Sequence, residues 1–460
     1  MSSLKTRSPR ARFAVSSLAI AATLTLLAGC ATAEESGEAA ATGTPAKTDL
    51  IASATAKATE IAEGQDLSGS IELIGPNGGK EGEILKSLYE PFTEATGVEV
   101  NYTGTQDYIS IIQSRVQANN PPDMASMSLG VLRQYGETLD LVSVSDVVGD
   151  EELSANYNAS ILDAVTYDGE VRAVFQGFSN FMMWYNPETY EGPTDADATW
   201  ADVMDWSDET IAAGDTPWCA AQESGASSGF PGAQFIEVLF AKKYGPEKLR
   251  EWGMGELDWT SPEVKDAFEM FGEIATNDAA INGGVTGALA EPISTGSAGL
   301  VTDLCQAEVW GVFTAGLVAA SAENVVPGEN LDFMQVPGSD PEFAKTEIFQ
   351  TEGTVAFNDT PETRALLAYI ASTEAQTLLA SANQWTVSNT SVPSDTYDSV
   401  VLQRASETFF AEDVVYGTGI TTLAGGAVRA ALYKGVVAYM QDPGSLDTVL
   451  QSIQDVVDAN

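Results

Sequence analysis

With 460 residues, 44% of them apolar, the chain has the length of two or three domains and the composition of a soluble globular protein, which excludes a disordered or membrane-embedded class. Acidic residues outnumber basic ones by 66 to 21, a formal net charge of -45, and a field of that sign repels phosphate backbones and argues against nucleic acid as a partner. There is no histidine, so imidazole serves neither as general base nor as metal ligand.

Residues 1–29 read as an export signal: the basic run KTRSPRAR, then the apolar run FAVSSLAIAATLTLLAG, ending at Cys30. The apolar run is short for a membrane span, and Leu27, Ala28, Gly29 and Cys30 resemble a bacterial lipobox, whose cysteine is acylated and becomes the new N-terminus. Several acyl chains then hold the protein at a membrane surface through the lipid alone. An ordinary cleaved signal is the alternative. Residues 31–66 are rich in Ala, Thr, Glu and Gly and read, with Cys30, as a flexible tether in which part of 49–62 is helical only transiently.

The body opens at SGSIELIGPNGGK, where Ile71, Leu73 and Ile74 suggest a buried strand running into a glycine-rich turn. The turn is no P-loop, because the required first glycine falls on Ile74 and Lys80 is followed by Glu81. Ile84, Leu85, Leu88 and Phe92 recur at helical spacing, and Gly97 stands where a helix ends. Val98, Val100 and Tyr102 alternate as a strand, and Asp107 precedes a second helical set of Tyr108, Ile109, Ile112 and Val116. Strand, helix, strand, helix implies a parallel sheet and an α/β fold.

The acid run TDADATWADVMDWSDET at 194–210 fails as a calcium loop, since Trp200 and Trp206 occupy the positions that need Gly and Glu, and reads as a solvated helix face; no metal site is expected. GASSG at 225–229 fits the G-x-S-x-G nucleophile pattern around Ser227, but without histidine no triad forms and the stretch reads as a loop. Cys219 and Cys305 lie in a chain that is exported, so a disulfide is the default and two buried thiols the alternative. Ser261-Pro262 and Thr360-Pro361 start helices, and Ser445 stands as cap to a C-terminal helix with Leu446, Val449, Leu450, Ile453, Val456 and Val457 on one stripe. Trp184, Trp218, Phe230, Trp259, Trp310, Trp385 and Tyr416 sit in turn-like surroundings, where a flat ring is available to the C–H face of a sugar. Carboxylates are too numerous for any spacing to single out a hydrolytic pair.

The stretches PFTEATGVEVNYTGTQDY, PPDMASMS, YDGEVRAVFQGFSNFMMWYNPETY and TEGTVAFNDTPETRALLAYIASTEAQ resemble, in this order, the solute-binding lipoproteins of bacterial ABC importers, in the carbohydrate class that includes maltose-binding protein. TPWCAAQESGASSGFP is similar to the α-glucoside-type members, with Phe230 where they usually carry tryptophan and Cys305 as second cysteine of the pair. QAEVWG lacks their basic, histidine-containing run and Thr422 replaces their usual aspartate, so no particular sugar follows.

The resemblance implies a two-lobe, maltose-binding-protein-like α/β fold whose lobes are 67–178 with 346–395 and 179–345 with 396–460, crossed near Phe178–Phe181, 346 and 395. It implies ligand contacts from Asn77, Ser126, Met127, Ser179, Asn180, Glu223, Phe230, Trp385 and Tyr416. It also implies a monomer that uses no cofactor and no catalysis, held outside the cytoplasm, binding a carbohydrate and delivering it to the transmembrane subunits of an ABC permease. The alternatives are the same fold with another small polar solute and an extracellular glycan-degrading enzyme.

Overall fold

The computed structural model describes residues 47–105, 107–136 and 138–459. The export signal, Cys30 and the tether as far as residue 46 lie outside the described residues. The later part of the expected tether is instead a helix, α1, spanning Lys47–Ala62. Leu50, Ala54 and Ala58 are buried at a spacing of four, a narrow stripe that lies against the helices Gly79–Thr96, Pro361–Ala371 and Thr373–Ala380. Alanine methyls carry this packing: they let helix axes approach closely, and in the sequence they look like the composition of a solvated linker.

The strand–helix alternation then follows: β1 (Ser70–Gly75), α2 (Gly79–Thr96), β2 (Glu99–Gly104), α3 (Tyr108–Gln117), β3 (Met124–Ser128) and α4 (Leu129–Gly136). β1 pairs in parallel with β2 on one side and β3 on the other. Gly97 ends α2 at a φ of 75°, the left-handed region, and its N–H donates to the Thr93 carbonyl. Gly104 permits a close approach, since a Cβ there would lie 1.9 Å from the Asn77 carbonyl oxygen; this fixes the turn between β1 and α2.

Besides short helices and one small two-stranded hairpin, the later elements are β4 (Val174–Tyr185), α5 (Trp200–Ala213), α6 (Phe230–Gly253), α7 (Pro262–Ala275), β5 (Ala307–Gly311), β6 (Asp332–Met334), β7 (Thr346–Ala356), α8 (Pro361–Ala371), α9 (Thr373–Ala380), α10 (Val400–Phe409), β8 (Val415–Gly417), α11 (Ile420–Leu423), α12 (Gly426–Gln441) and α13 (Leu446–Asp458). The sheet is mixed where the sequence suggested a parallel one: its order is β2-β1-β3-β7-β4-β5, with β8 beside β7 and β6 beside β4, and β7 runs antiparallel to both β3 and β4. β4 and β7 are buried on both faces along most of their length, so they carry no period-two signal.

Buried apolar side chains form two clusters. One is built on β1–β3, α2, α8 and α9; the other on α6, α7, α12 and α13. β4 serves both, with Phe175, Phe178 and Met182 in the first and Phe181 and Met183 in the second, as does β7 through Phe349 and Ile348. Val387, Tyr397, Val401 and Phe409 are buried with the first cluster, and the chain joins the second at Ile420.

Ser261 and Thr360 cap α7 and α8, accepting from the N–H groups of Val264 and Thr363. Ser445 does not cap α13. It already has helical angles, and its hydroxyl donates to the Asp442 carbonyl, while the Asp442 carboxylate accepts from Gly444 N–H in the preceding turn. Leu446, Val449, Leu450 and Ile453 are buried as expected of the stripe; Val456 and Val457 are half-buried.

Cys219 and Cys305 are joined by a disulfide across a separation of 86 residues, and Gly299 makes room for it, since a Cβ there would lie 2.3 Å from the Cys305 Sγ. Replacing both cysteines by serine is expected to lower the unfolding free energy by about 4 kcal/mol, because the open chain regains the entropy of a long loop. Urea unfolding reads this as a lower midpoint; an unshifted midpoint would contradict it.

Candidate functional site

The carboxyl ends of β1 and β3 open onto a cavity of about 150 Å³, whose remaining walls come from β4, β7, Phe313 after β5, and Trp385. Open α/β sheets bind ligands at such strand ends. In the turn after β1, the Asn77 carbonyl accepts from the Tyr102 hydroxyl at 3.0 Å, and the Asn77 Nδ2 donates to Glu81 Oε2 at 3.1 Å in the first turn of α2. Gln384 Nε2 donates to the other Glu81 oxygen at 3.3 Å. Glu81 is thus held by an amide on each side.

Deeper in the wall, the hydroxyls of Ser126 of β3 and Thr354 of β7 lie 2.7 Å apart and within 3.2 and 3.1 Å of Gln176 Oε1 of β4; with one proton each, one hydroxyl donates to its neighbour and the other to the amide oxygen. This buried network joins three strands and fixes their polar atoms before any ligand arrives. Gln350 of β7 accepts from Gln234 at 3.1 Å, and Gln234 in turn accepts from the Trp310 indole N–H at 3.1 Å. The Ser179 hydroxyl is buried on the cavity wall with no hydrogen-bond partner among the described residues. A buried polar atom left without a partner costs free energy, and at a cavity wall a ligand supplies the partner.

Trp385 packs against the backbone of β4 at Gly177. A Cβ at residue 177 would stand 3.0 Å from two indole carbons, so any larger residue there pushes the ring away from the strand. Phe313 meets Trp310 edge-on, with ring centroids 4.9 Å apart.

Burial first, and the charge of Glu81 second, push the Glu352 carboxyl up from 4.5 to about 7. Outside the cavity, burial raises Glu237 and Glu308 to about 7 as well. A carboxyl raised on folding binds its proton more tightly in the folded state, so these three groups take stability away from the ligand-free protein as pH climbs from 4.5 to about 7. Glu352→Gln is expected to remove one of the three shares and make that fall shallower. Thermal melts across the interval read the slope, and an unchanged slope would show that Glu352 titrates as an exposed carboxyl does.

The family model described as bacterial extracellular solute-binding protein matches residues 87–405. The chain belongs to that family. The osmoprotective compounds-binding protein GgtB of Synechocystis is 27% identical over 379 residues, 80% of this chain and 88% of its own. The α-glucosides-binding periplasmic protein AglE of Rhizobium meliloti is 27% identical over 410 residues, 84% of this chain and 87% of its own. Among solved structures, the bacterial solute receptor AcbH superposes with a TM-score of 0.72 at 18% identity, covering 87% of this chain and 99% of its own. Maltose-bound MalE3 of T. maritima superposes with a TM-score of 0.62 at 15% identity, covering 85% and 100%. At these identities the likeness shows the fold, that of maltose-binding-protein-like solute receptors.

In this solute-binding protein the cavity brings together Asn77, Ser126, Ser179 and Trp385 of the residues named from sequence. It does not include the others. Met127 and Asn180 follow cavity residues by one position on their strands, where side chains change face, and both are fully buried. Tyr416 is packed among Phe178, Phe349 and Phe410, and its hydroxyl donates to the Phe409 carbonyl. Glu223 turns back on its own loop and accepts from Gly225 N–H at 2.9 Å. Phe230 opens α6 with its ring 6.0 Å from Trp310 and 6.3 Å from Tyr433, outside the lining. Trp184, Trp218, Trp259 and Trp310 are core residues.

The sequence reading missed Glu81, Gln176, Phe313, Gln350 and Glu352. Glu81 carried a usable signal, since it stands in the first helical turn after the first strand. Glu352 carried none. A roomier groove of about 580 Å³ lies beside the disulfide, lined by Glu188, Glu191, Glu209, Asp215 and Asp303, and it is not at the strand ends.

Proposed function

We propose that this protein is the extracytoplasmic receptor of an ABC importer and captures a sugar or small oligosaccharide, unchanged, in the cleft around Ser179 and Trp385. The observation that carries this reading is the makeup of one wall: an indole face suited to the C–H face of a sugar ring beside amides, carboxylates and a buried hydroxyl that lacks a protein partner. The named binding of the relatives, osmoprotective compounds for GgtB and α-glucosides for AglE, supports the class.

The lobes of this reading are 67–178 with 346–395 and 179–345 with 396–460, and side-chain packing favours moving the last crossing to 415–420, because the segment before it packs with the first cluster. A solute that touches Asn77 or Ser126 on one side and Phe313 on the other stabilises the closed form by its difference in affinity for the closed and open forms. In the same reading Cys30 is lipidated, a monomer is held at the outer face of the cell membrane, and the closed form delivers its solute to the permease.

Titration of the protein with maltose, trehalose, sucrose and galactose, followed by tryptophan fluorescence and by chromatography of the sugar, tests this. A saturable change with the sugar intact is the expected result. Hydrolysis products would turn the Glu81 and Glu352 carboxylates into the acid pair of a glycan-degrading enzyme. Saturation by a compact non-sugar osmolyte alone would favour the second reading, to which the small cavity of about 150 Å³ lends support.

A further inference from the structure

The cleft holds more negative charge than a neutral sugar needs. Glu81 from α2 and Glu352 from β7 both line it, and none of its lining residues is Lys or Arg. Lys80, next to Glu81 in the chain, is exposed and outside the lining, and Arg429 of α12 donates to the Thr421 carbonyl at 3.2 Å. Both Glu81 oxygens already accept from amides, whereas no side chain among the described residues donates to the Glu352 carboxylate. Two carboxylates that share a partly desolvated space repel each other, and a cation placed between them relieves that repulsion. The rings favour the same guest, because the faces of Trp385 and Phe313 are negative and attract an ammonium group. The unpartnered Ser179 hydroxyl, in a residue only 8% exposed, is a separate sign that this cavity is shaped for a ligand.

We propose that Glu81 and Glu352 make this receptor select a small hydroxylated solute bearing a protonated amine, an amino sugar or amino polyol, over its neutral counterpart. The proposal rests on the sugar-capture reading and names the solute class within it. Glu81, positioned by Asn77 and Gln384, supplies a fixed charge, and Glu352 accepts directly from the ammonium N–H groups. The hydroxyls of the solute are left to Ser179, Ser126 and the amides.

The test is calorimetric titration, near neutral pH, with three matched pairs: glucosamine and glucose, galactosamine and galactose, glucamine and sorbitol. In at least one pair the amine is expected to bind about tenfold more tightly, equivalent to about 1.4 kcal/mol. Glu352→Gln is expected to shrink that preference severalfold, leaving the share supplied by the fixed charge of Glu81, and the wild-type comparison decides alone if the variant fails to fold. Neutral members that bind as tightly as their amines in every pair that binds, or a preference undiminished in Glu352→Gln, overturn the proposal and leave sugar capture standing. Binding by no member of any pair overturns the sugar-capture reading for these solutes and the proposal with it.

Discussion

Exchange of Trp385 for alanine is expected to weaken capture of the solute about 100-fold, equivalent to about 2.7 kcal/mol. The ring is the one tryptophan on the cavity among the described residues, and it packs closely on β4 because Gly177 has no side chain. The ring is only half-buried, so its removal takes away ligand contact more than core packing. Gly177→Val should act in the same direction without touching the indole itself, by lifting it from the strand. Calorimetry with the preferred solute reads both effects, and an affinity of Trp385→Ala within about twofold of wild type would show that the ring is not a binding platform.

A stability effect as large as that of the disulfide is expected at the buried ion pair between α6 and the start of β7. Lys242 and Glu347 are 1% and 2% exposed, and the Lys242 Nζ donates to Glu347 Oε1 at 2.8 Å and to the Ala344 carbonyl at 2.9 Å. Gln335 Nε2 donates to the same carboxylate oxygen at 3.0 Å. Burial raises the Glu347 carboxyl while Lys242 opposes the rise, so loss of the lysine strands a carboxylate in an apolar surround. Lys242→Met is therefore expected to cost about 3–5 kcal/mol of unfolding free energy, measured by urea denaturation, and Lys242→Met with Glu347→Leu to recover most of it. A single-variant cost below about 1 kcal/mol would place the pair in solvent rather than in the core. The pair stands where β7 passes between the two buried clusters, so the double variant also separates stability from binding: its fold should return, and any lasting loss of affinity then belongs to the crossing strand.

Local elements with one apolar face were legible in the sequence. β1, α2, α3 and α13 carry their own periods, Gly97 ends its helix as it must, and Ser261 and Thr360 cap theirs. The two strands that build most of the cleft were not, because β4 and β7 are buried on both faces and pair with each other, and with β5 and β3, across long stretches of chain. The same cause explains the site. Asn77 and Trp385 stand at turns and could be named, but Ser126 and Ser179 were named together with Met127 and Asn180, since sequence alone does not say which face of a buried strand meets the cavity. Glu352 is one acid among 66, and only the fold brings it opposite Glu81. Helix α1 was concealed by its alanines, whose small contact area becomes useful only once α2, α8 and α9 are in place.

Native mass spectrometry of the protein after incubation with a mixture of sugars and amino sugars tests the central claim most directly. The account predicts one solute held per chain, released on denaturation with the mass it had when added. A protein that retains none of the mixture, or releases a fragment of what it was given, would contradict it.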